Sequence, residues 1–126
     1  MYRATCIFSA IAAILHAIGY AIVPGMVASL YIDAPTEHVI AVSRFFGLTL
    51  LFAGIISWML KDTPHAEVKN AVIIAALSMS IVGLATSVFL VLNGTLKPFA
   101  WSGAFLYLVI GVGILLSRST SPKVAT

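Results

Sequence analysis

Charged residues and cysteine are scarce in this sequence. Only 9% of its 126 residues are charged, four residues are acidic, and there is one cysteine. A soluble domain covers its core with polar and charged side chains, so this composition excludes a water-exposed globular surface. A single cysteine, Cys6, excludes an internal disulfide and a cysteine-rich metal site. We therefore expect lipid, rather than water, to surround most of the chain.

Carboxylates are absent from the long apolar runs. Proton-coupled exporters exchange a cationic cargo for protons on a buried carboxylate, so this class of transporter is disfavoured. The sequence also has no Ser-His-Asp set, phosphate-binding loop or metal-spaced histidine motif. The three histidines are predicted at different membrane levels, which excludes a shared metal site. The sequence leans against an enzyme, and we expect no catalytic residue, no metal and no cofactor.

Four apolar runs make up most of what is present. Each is close to the ~20 residues that a helix needs to cross a hydrocarbon core about 30 Å thick. Turn-forming residues separate the runs, as at Pro24-Gly25. We predict an all-α protein, an integral membrane four-helix bundle that forms one domain over residues 1–117, followed by a cytoplasmic tail at 118–126. The predicted spans cover about residues 4–24, 39–60, 71–92 and 98–117.

The first apolar run has one alternative interpretation, a cleaved signal peptide. Small residues at Gly19 and Ala21 lie two positions apart, as a cleavage site requires. However, His16 interrupts the apolar region, and only one basic residue, Arg3, precedes it. We therefore expect this run to be the first membrane span.

Basic residues are distributed unevenly between the two sides of the predicted bundle. One side carries five of the seven, and Lys97 is the only one in the loops of the other side. Translocation disfavours basic residues in short loops, so we predict that the N-terminus and C-terminus are cytoplasmic. We expect a multi-pass protein of the bacterial inner membrane. The five residues are Arg3, Lys61, Lys69, Arg118 and Lys123.

The first outer loop, residues 25–38, contains an apolar stretch. Residues 26–31 carry no charge, whereas Asp33 and Glu37 follow them. A short apolar segment beside a membrane surface is typical of an interfacial helix. We predict such a segment at this position.

Small residues recur on one face of several predicted helices. Lipid gives helices no hydrophobic incentive to associate, so close packing through small side chains must hold the bundle together. In the third span, Ala76, Ser80 and Gly83 recur at helical spacing, and we predict that this span is the central packing helix. Packing within one chain and a homo-oligomer interface both fit such a pattern. The predicted packing residues are Gly47, Gly54, Ala76, Ser80, Gly83, Gly103 and Gly111.

Ionisable residues within the spans are the first candidates for function because they are costly to bury. At about 1.5 Å per residue, Arg44 lies ~9 Å and His16 ~11 Å below the outer boundary. Tyr20 lies one turn above His16 on the same helix face. We predict a polar cluster in the outer half of the bundle that binds a ligand. The candidate residues are His16, Tyr20, Arg44, Ser87 and Trp101.

Three of these candidates also have a purely structural interpretation. The Arg44 side chain leans toward the N-terminus of its helix and can extend to the outer interface. His16 can be a neutral imidazole that is hydrogen-bonded within the bundle. Trp101 fits the aromatic belt at the membrane surface.

One pattern resembles a known family. Arg44-x-x-Gly47 lies early in the second span, a short acidic loop precedes it, and Trp101 opens the fourth span. In these features the chain resembles small bacterial four-helix membrane proteins of the DUF4345-like kind, over nearly its whole length. The resemblance implies a fold and a topology, and it implies no activity or ligand.

Two function hypotheses follow. Because fold alone implies no activity, the first is a non-catalytic membrane protein: a scaffold, an accessory subunit or a homo-oligomer. The second is binding or transport of a small amphipathic ligand, a quinone or a lipid headgroup, at the outer polar cluster. The expected partners are the lipid bilayer and either a larger membrane complex or a second copy of the chain. Nucleic acid is not expected because the basic residues are scattered.

The asymmetry of the basic residues predicts which loops face outward. Cysteines introduced at Asp62 and Thr120 should resist an impermeant thiol reagent in intact cells, whereas one at Ala34 should react. The measurement is the extent of labelling before and after the membrane is permeabilised. If only the cysteines introduced at Asp62 and Thr120 reacted in intact cells, the topology would be the reverse of the predicted one.

Overall fold

A computed structural model describes residues 1–119, with the side chains of residues 1–117. Within this part of the chain, four helical segments are long and apolar enough to span a membrane. The chain is therefore an all-α, multi-pass membrane protein, and the predicted four-helix bundle is confirmed. The helices are α1 (Tyr2–Ile22), α2 (Pro24–Tyr31), α3 (Glu37–Leu60), α4 (Ala66–Leu92) and α5 (Trp101–Ser119), with a 3-10 turn at Pro98–Ala100 before α5.

Local sequence signals set the helix ends. Pro24 opens α2 at a first-turn position, where its missing N–H is not needed. Thr36 caps α3, and its hydroxyl accepts a hydrogen bond from the Val39 N–H at 3.4 Å. After α4, Gly94 has a φ of +76°. Glycine adopts this left-handed conformation without strain, so the chain can turn there toward α5.

Several helix ends differ from the predicted spans. α4 begins at Ala66, before the predicted start at residue 71, and Glu67 in its first turn is favoured by the helix dipole. α5 continues through Ser119. The remainder of the predicted tail, residues 120–126, lies outside the described residues. The segment predicted in the first outer loop is the short helix α2.

The helices form two pairs. α1 packs closely along α3, and α4 packs closely along α5. The pairs are joined mainly by α1 against α5, while α3 and α4 touch only sparsely. α4 packs mainly against α5 and only sparsely against any other helix, so the prediction that the third span is the central packing helix is wrong. α1 is central because it offers small residues on two faces, Ala10 and Ala17 toward α3 and Thr5 toward α5.

Two glycines of α3 pack directly against α1. A Cβ added at Gly47 would lie 2.7 Å from the Cβ of Tyr20, and one at Gly54 would lie 2.8 Å from the Ile14 Cγ1. The same atom at Gly54 would be 3.2 Å from the Ala10 carbonyl oxygen. Both glycines therefore let the two backbones approach to a distance that any larger residue would prevent.

The α4–α5 interface uses a different combination of residues. The ring of Tyr107 covers Gly83, where an added Cβ would lie 2.6 Å from the Tyr107 Cζ. One turn away, a Cβ at Gly111 would lie 3.2 Å from the Ser80 Cβ. Ser80 is buried and Ala76 is half-buried. This pair is held by one aromatic ring against a glycine and by contacts between small residues.

Polar contacts tie the chain together at the end where α1 begins. The Tyr2 hydroxyl donates to the Leu60 carbonyl at 3.2 Å. The Arg3 Nε lies 2.9 Å from an Asp62 carboxylate oxygen. These contacts bring the start of α1 and the α3–α4 connection to the same end of the bundle, as the predicted spans require.

At the opposite end, Lys97 links the two remaining connections. Its ammonium lies 2.8 Å from the Asp33 carboxylate and donates to the Ser29 carbonyl at 2.9 Å. Its backbone N–H donates to the Tyr31 carbonyl at 2.7 Å. These three contacts hold the end of α2 against the segment that leads into α5.

The glycine contacts predict opposite effects for two similar substitutions. Gly47→Ala should lower the stability of the protein by about 1–3 kcal/mol, because the added methyl group overpacks the α1–α3 interface. Gly103→Ala should be neutral or stabilising, because nothing lies within 4 Å of an added Cβ and alanine favours the helix. Thermal unfolding in detergent measures both variants. Equal effects would contradict the close approach of α3 to α1.

Candidate ligand-binding cavity

A cavity of about 260 Å³ lies between the two helix pairs, toward the end of the bundle where α2 sits. All four long helices contribute to its wall, and the end of α2 contributes one residue. Its lining is mostly apolar, with side chains such as Leu50, Leu106 and Ile110. The polar side chains in the lining are Ser9, His16, Tyr20, Tyr31, Ser87 and Tyr107.

Bulky aromatic residues line the cavity at this level. The Tyr20 ring meets Phe46 edge to face, with ring centres 5.6 Å apart. On the other pair, the Tyr107 ring lies over Gly83. Between them, Gly103 leaves open space on α5. Large side chains beside a glycine that nothing fills therefore account for the cavity.

The cavity has a closed end and an open side. Tyr31 and Leu96 line the closed end, beside α2 and the segment that leads into α5, and the Lys97 contacts hold them there. On one side, α3 and α4 touch only sparsely, and Phe46 of α3 and Ser87 of α4 both line the cavity there.

His16 brings a hydrogen-bond acceptor to the lining. Its Nδ1 lies 2.7 Å from the Ala12 carbonyl oxygen. A carbonyl oxygen can only accept, so Nδ1 carries the proton; in the neutral tautomer that this allows, Nε2 is an acceptor. The hydroxyls of Ser9 and Ser87 make no hydrogen bond within residues 1–117 and can donate or accept. The lining therefore offers both donors and acceptors to a bound molecule.

Tyr31 lies outside the membrane spans, and its ionisation is shifted by its surroundings. Burial raises the pKa of Tyr31, and the neighbouring Tyr107 raises it further. Polar contacts with Tyr20 and Ser102 lower the pKa but do not cancel the effect of burial. The phenol therefore stays protonated at neutral pH and can donate a hydrogen bond at the closed end.

Charged groups are absent from the cavity lining formed by the described residues. No aspartate, glutamate, lysine or arginine contributes to it. In addition, no three His, Cys, Asp or Glu side chains within residues 1–119 come close enough to hold a metal ion. Burying an unpaired charge in such a site is costly, so the site suits an uncharged molecule.

The structure brings together some of the predicted site residues. His16, Tyr20 and Ser87, from α1 and α4, line the same cavity. Arg44 is exposed on α3 and forms no hydrogen bond or ion pair with any described residue. Trp101 is exposed at the start of α5. Neither of these two residues lines the cavity.

Sequence reasoning did not select three polar residues of the cavity, Ser9, Tyr31 and Tyr107. Tyr107 lies midway between Gly103 and Gly111, a spacing that places all three on one helix face. That pattern could have indicated a ring inside the bundle. Tyr31 carried no comparable signal, because its position depends on the contact between α2 and Lys97.

The chain was compared with protein-family models, curated proteins and solved structures, and no significant match was found in any of the three comparisons. The resemblance to DUF4345-like proteins stays a prediction.

The exposure of Arg44 leads to a test of its role. Arg44→Lys should change stability by less than ~0.5 kcal/mol, because a lipid-facing lysine can also extend to the interface and no planar partner is lost. Thermal unfolding and the amount of co-purifying small molecule should both be measured, with Arg44→Leu for comparison. A large loss of either property in Arg44→Lys would show that the guanidinium has a specific partner.

Proposed function

We propose that the protein binds a small, uncharged amphipathic molecule from the membrane in the cavity between its two helix pairs. The observation that carries this proposal is the combination of an apolar wall with hydroxyl and imidazole groups and no charged side chain. Ligand sites commonly have this composition, with a few polar groups that fix the orientation of the ligand.

The size and shape of the cavity limit the ligand. Its volume of about 260 Å³ is slightly below the ~300 Å³ at which small-molecule sites usually begin. A single ring with a few substituents would occupy most of it. Because α3 and α4 touch only sparsely, we expect a longer apolar tail to extend between them into the lipid.

The polar groups favour one kind of head group. The Tyr31 phenol and the Ser87 hydroxyl can donate to a carbonyl oxygen, and the His16 Nε2 can accept from a hydroxyl. A quinone and its reduced hydroquinone carry these two groups. A lipid phosphate would need a cation, and Arg44 does not line the cavity. Of the two ligand classes considered, the quinone type is therefore better supported than the phosphate headgroup.

The proposed setting is the bacterial inner membrane, with the start of α1 on the cytoplasmic side. The excess of basic residues at that end supports this orientation. Binding a small molecule is also compatible with a place in a larger membrane complex. The scaffold, accessory-subunit and homo-oligomer hypotheses stay predictions.

A substitution that fills the cavity tests the proposal. Nothing lies within 4 Å of a Cβ at Gly103, so Gly103→Leu should occupy the cavity without displacing a helix. We expect about one uncharged molecule with a carbonyl or hydroxyl group per wild-type chain after purification in mild detergent. The Gly103→Leu protein should retain at most about one tenth of this bound molecule, which corresponds to a loss of ~1.4 kcal/mol of binding free energy. Solvent extraction and mass spectrometry provide the measurement.

The matched control is Ala85→Leu, which adds a similar side chain to the exposed face of α4. It should retain the wild-type amount of bound molecule. Size-exclusion chromatography and thermal unfolding confirm that all three proteins are folded. Bulk phospholipid alone, in equal amounts in all three, would contradict the proposal.

A further inference from the structure

A second recess lies on the outside of the α1–α3 pair and shares no residue with the cavity. This apolar groove has a volume of about 360 Å³. Its described wall consists only of apolar and aromatic side chains, so it offers almost no hydrogen-bonding group to an occupant. The groove is formed by Ile11, Ile14, Leu15, Ile55 and Trp58.

A cation lies beside one end of the apolar groove. The ammonium of Lys61 is 4.4 Å from the centre of the Trp58 ring, within the range of a cation–π contact. Trp58 is two residues before the end of α3. An indole near a helix end commonly marks the level of the lipid headgroups. The groove therefore runs from the apolar interior to a charged group at the membrane surface.

The charges at this end are not balanced. Arg3 and Lys61 both lie near the same carboxylate, with the Arg3 Nε 2.9 Å and the Lys61 Nζ 3.5 Å from Asp62 oxygens. One carboxylate cannot neutralise two cations, so the group carries an excess positive charge. The Arg3 side chain is 68% exposed and can meet an anion from outside.

We propose that the apolar groove and these two cations form a binding site for an anionic phospholipid of the leaflet at this end of the bundle. One acyl chain lies along Ile11, Leu15 and Trp58, and the phosphate lies at Arg3 and Lys61. The apolar wall matches the chain, and the excess charge matches an anionic headgroup. The site is separate from the proposed ligand cavity, so each can fail without the other.

Native mass spectrometry with added lipids tests this site. Wild-type protein in mild detergent should retain phosphatidylglycerol at least about fivefold more strongly than phosphatidylcholine with the same acyl chains, the effect expected for one basic residue near an anionic lipid. Lys61→Gln should remove most of this preference. The control is Lys69→Gln, which changes the net charge equally at the same end but leaves the groove intact.

A second pair of variants tests the apolar part of the site. Leu15→Trp should reduce retention of both lipids, because the indole would occupy the groove. Leu48→Trp is its control, since Leu48 is similarly exposed (61%, against 63% for Leu15) and lies outside the groove. The proposal would be overturned if Lys61→Gln and Lys69→Gln lost the lipid preference equally, or if the wild-type protein showed no preference for phosphatidylglycerol. A dimer that buries the groove would also overturn it.

Discussion

The close approach of α1 and α3 is the contact on which the rest of the structure depends. In lipid, apolar side chains gain nothing by leaving their surroundings, so helices associate where backbones can come together. Gly47 and Gly54 provide this on α3, opposite the small residues Ala10 and Ala17 of α1. With α1 fixed in this way, its opposite face is available to α5.

The second helix pair, α4 and α5, is also held by close packing through small residues, but its contact with the first pair is limited. α4 uses its small residues for α5, and contact between the pairs is limited mainly to α1 and α5. There, a Cβ added at Gly113 would lie 2.8 Å from the Thr5 hydroxyl oxygen. Toward the end where α2 lies, the bulky Tyr20 and Tyr107 line the space between the pairs instead of small residues. The cavity is the space that remains where tight packing stops.

The parts of the fold that depend on neighbouring residues in the sequence could be predicted. The number of spans follows from the length of the apolar runs. The break at Pro24 and the turn at Gly94 follow from the backbone preferences of proline and glycine. The partner of each helix could not be predicted, because a face of small residues shows that something packs there but not what. This is why the third span was wrongly expected at the centre, although Gly83 does pack closely against a neighbouring helix.

The candidate site could likewise be predicted only in part. Helical rise predicts the depths of His16 and Arg44, but the direction that each side chain faces depends on how its helix is rotated. Arg44 lies about one turn before Gly47, which packs against α1, yet its side chain is exposed. Tyr31 enters the site only because Lys97 holds α2 in place. Such tertiary contacts join residues far apart in the chain and leave no local pattern.

The most direct test of the central claim is an isotope-filtered NMR experiment on labelled protein, purified with its bound molecules and placed in deuterated lipid. Cross-peaks between unlabelled, non-lipid protons and the methyl groups of Leu50, Leu106 and Ile110 would place a small molecule in the cavity, as we predict. Cross-peaks from these methyl groups to water or lipid protons alone would contradict the account.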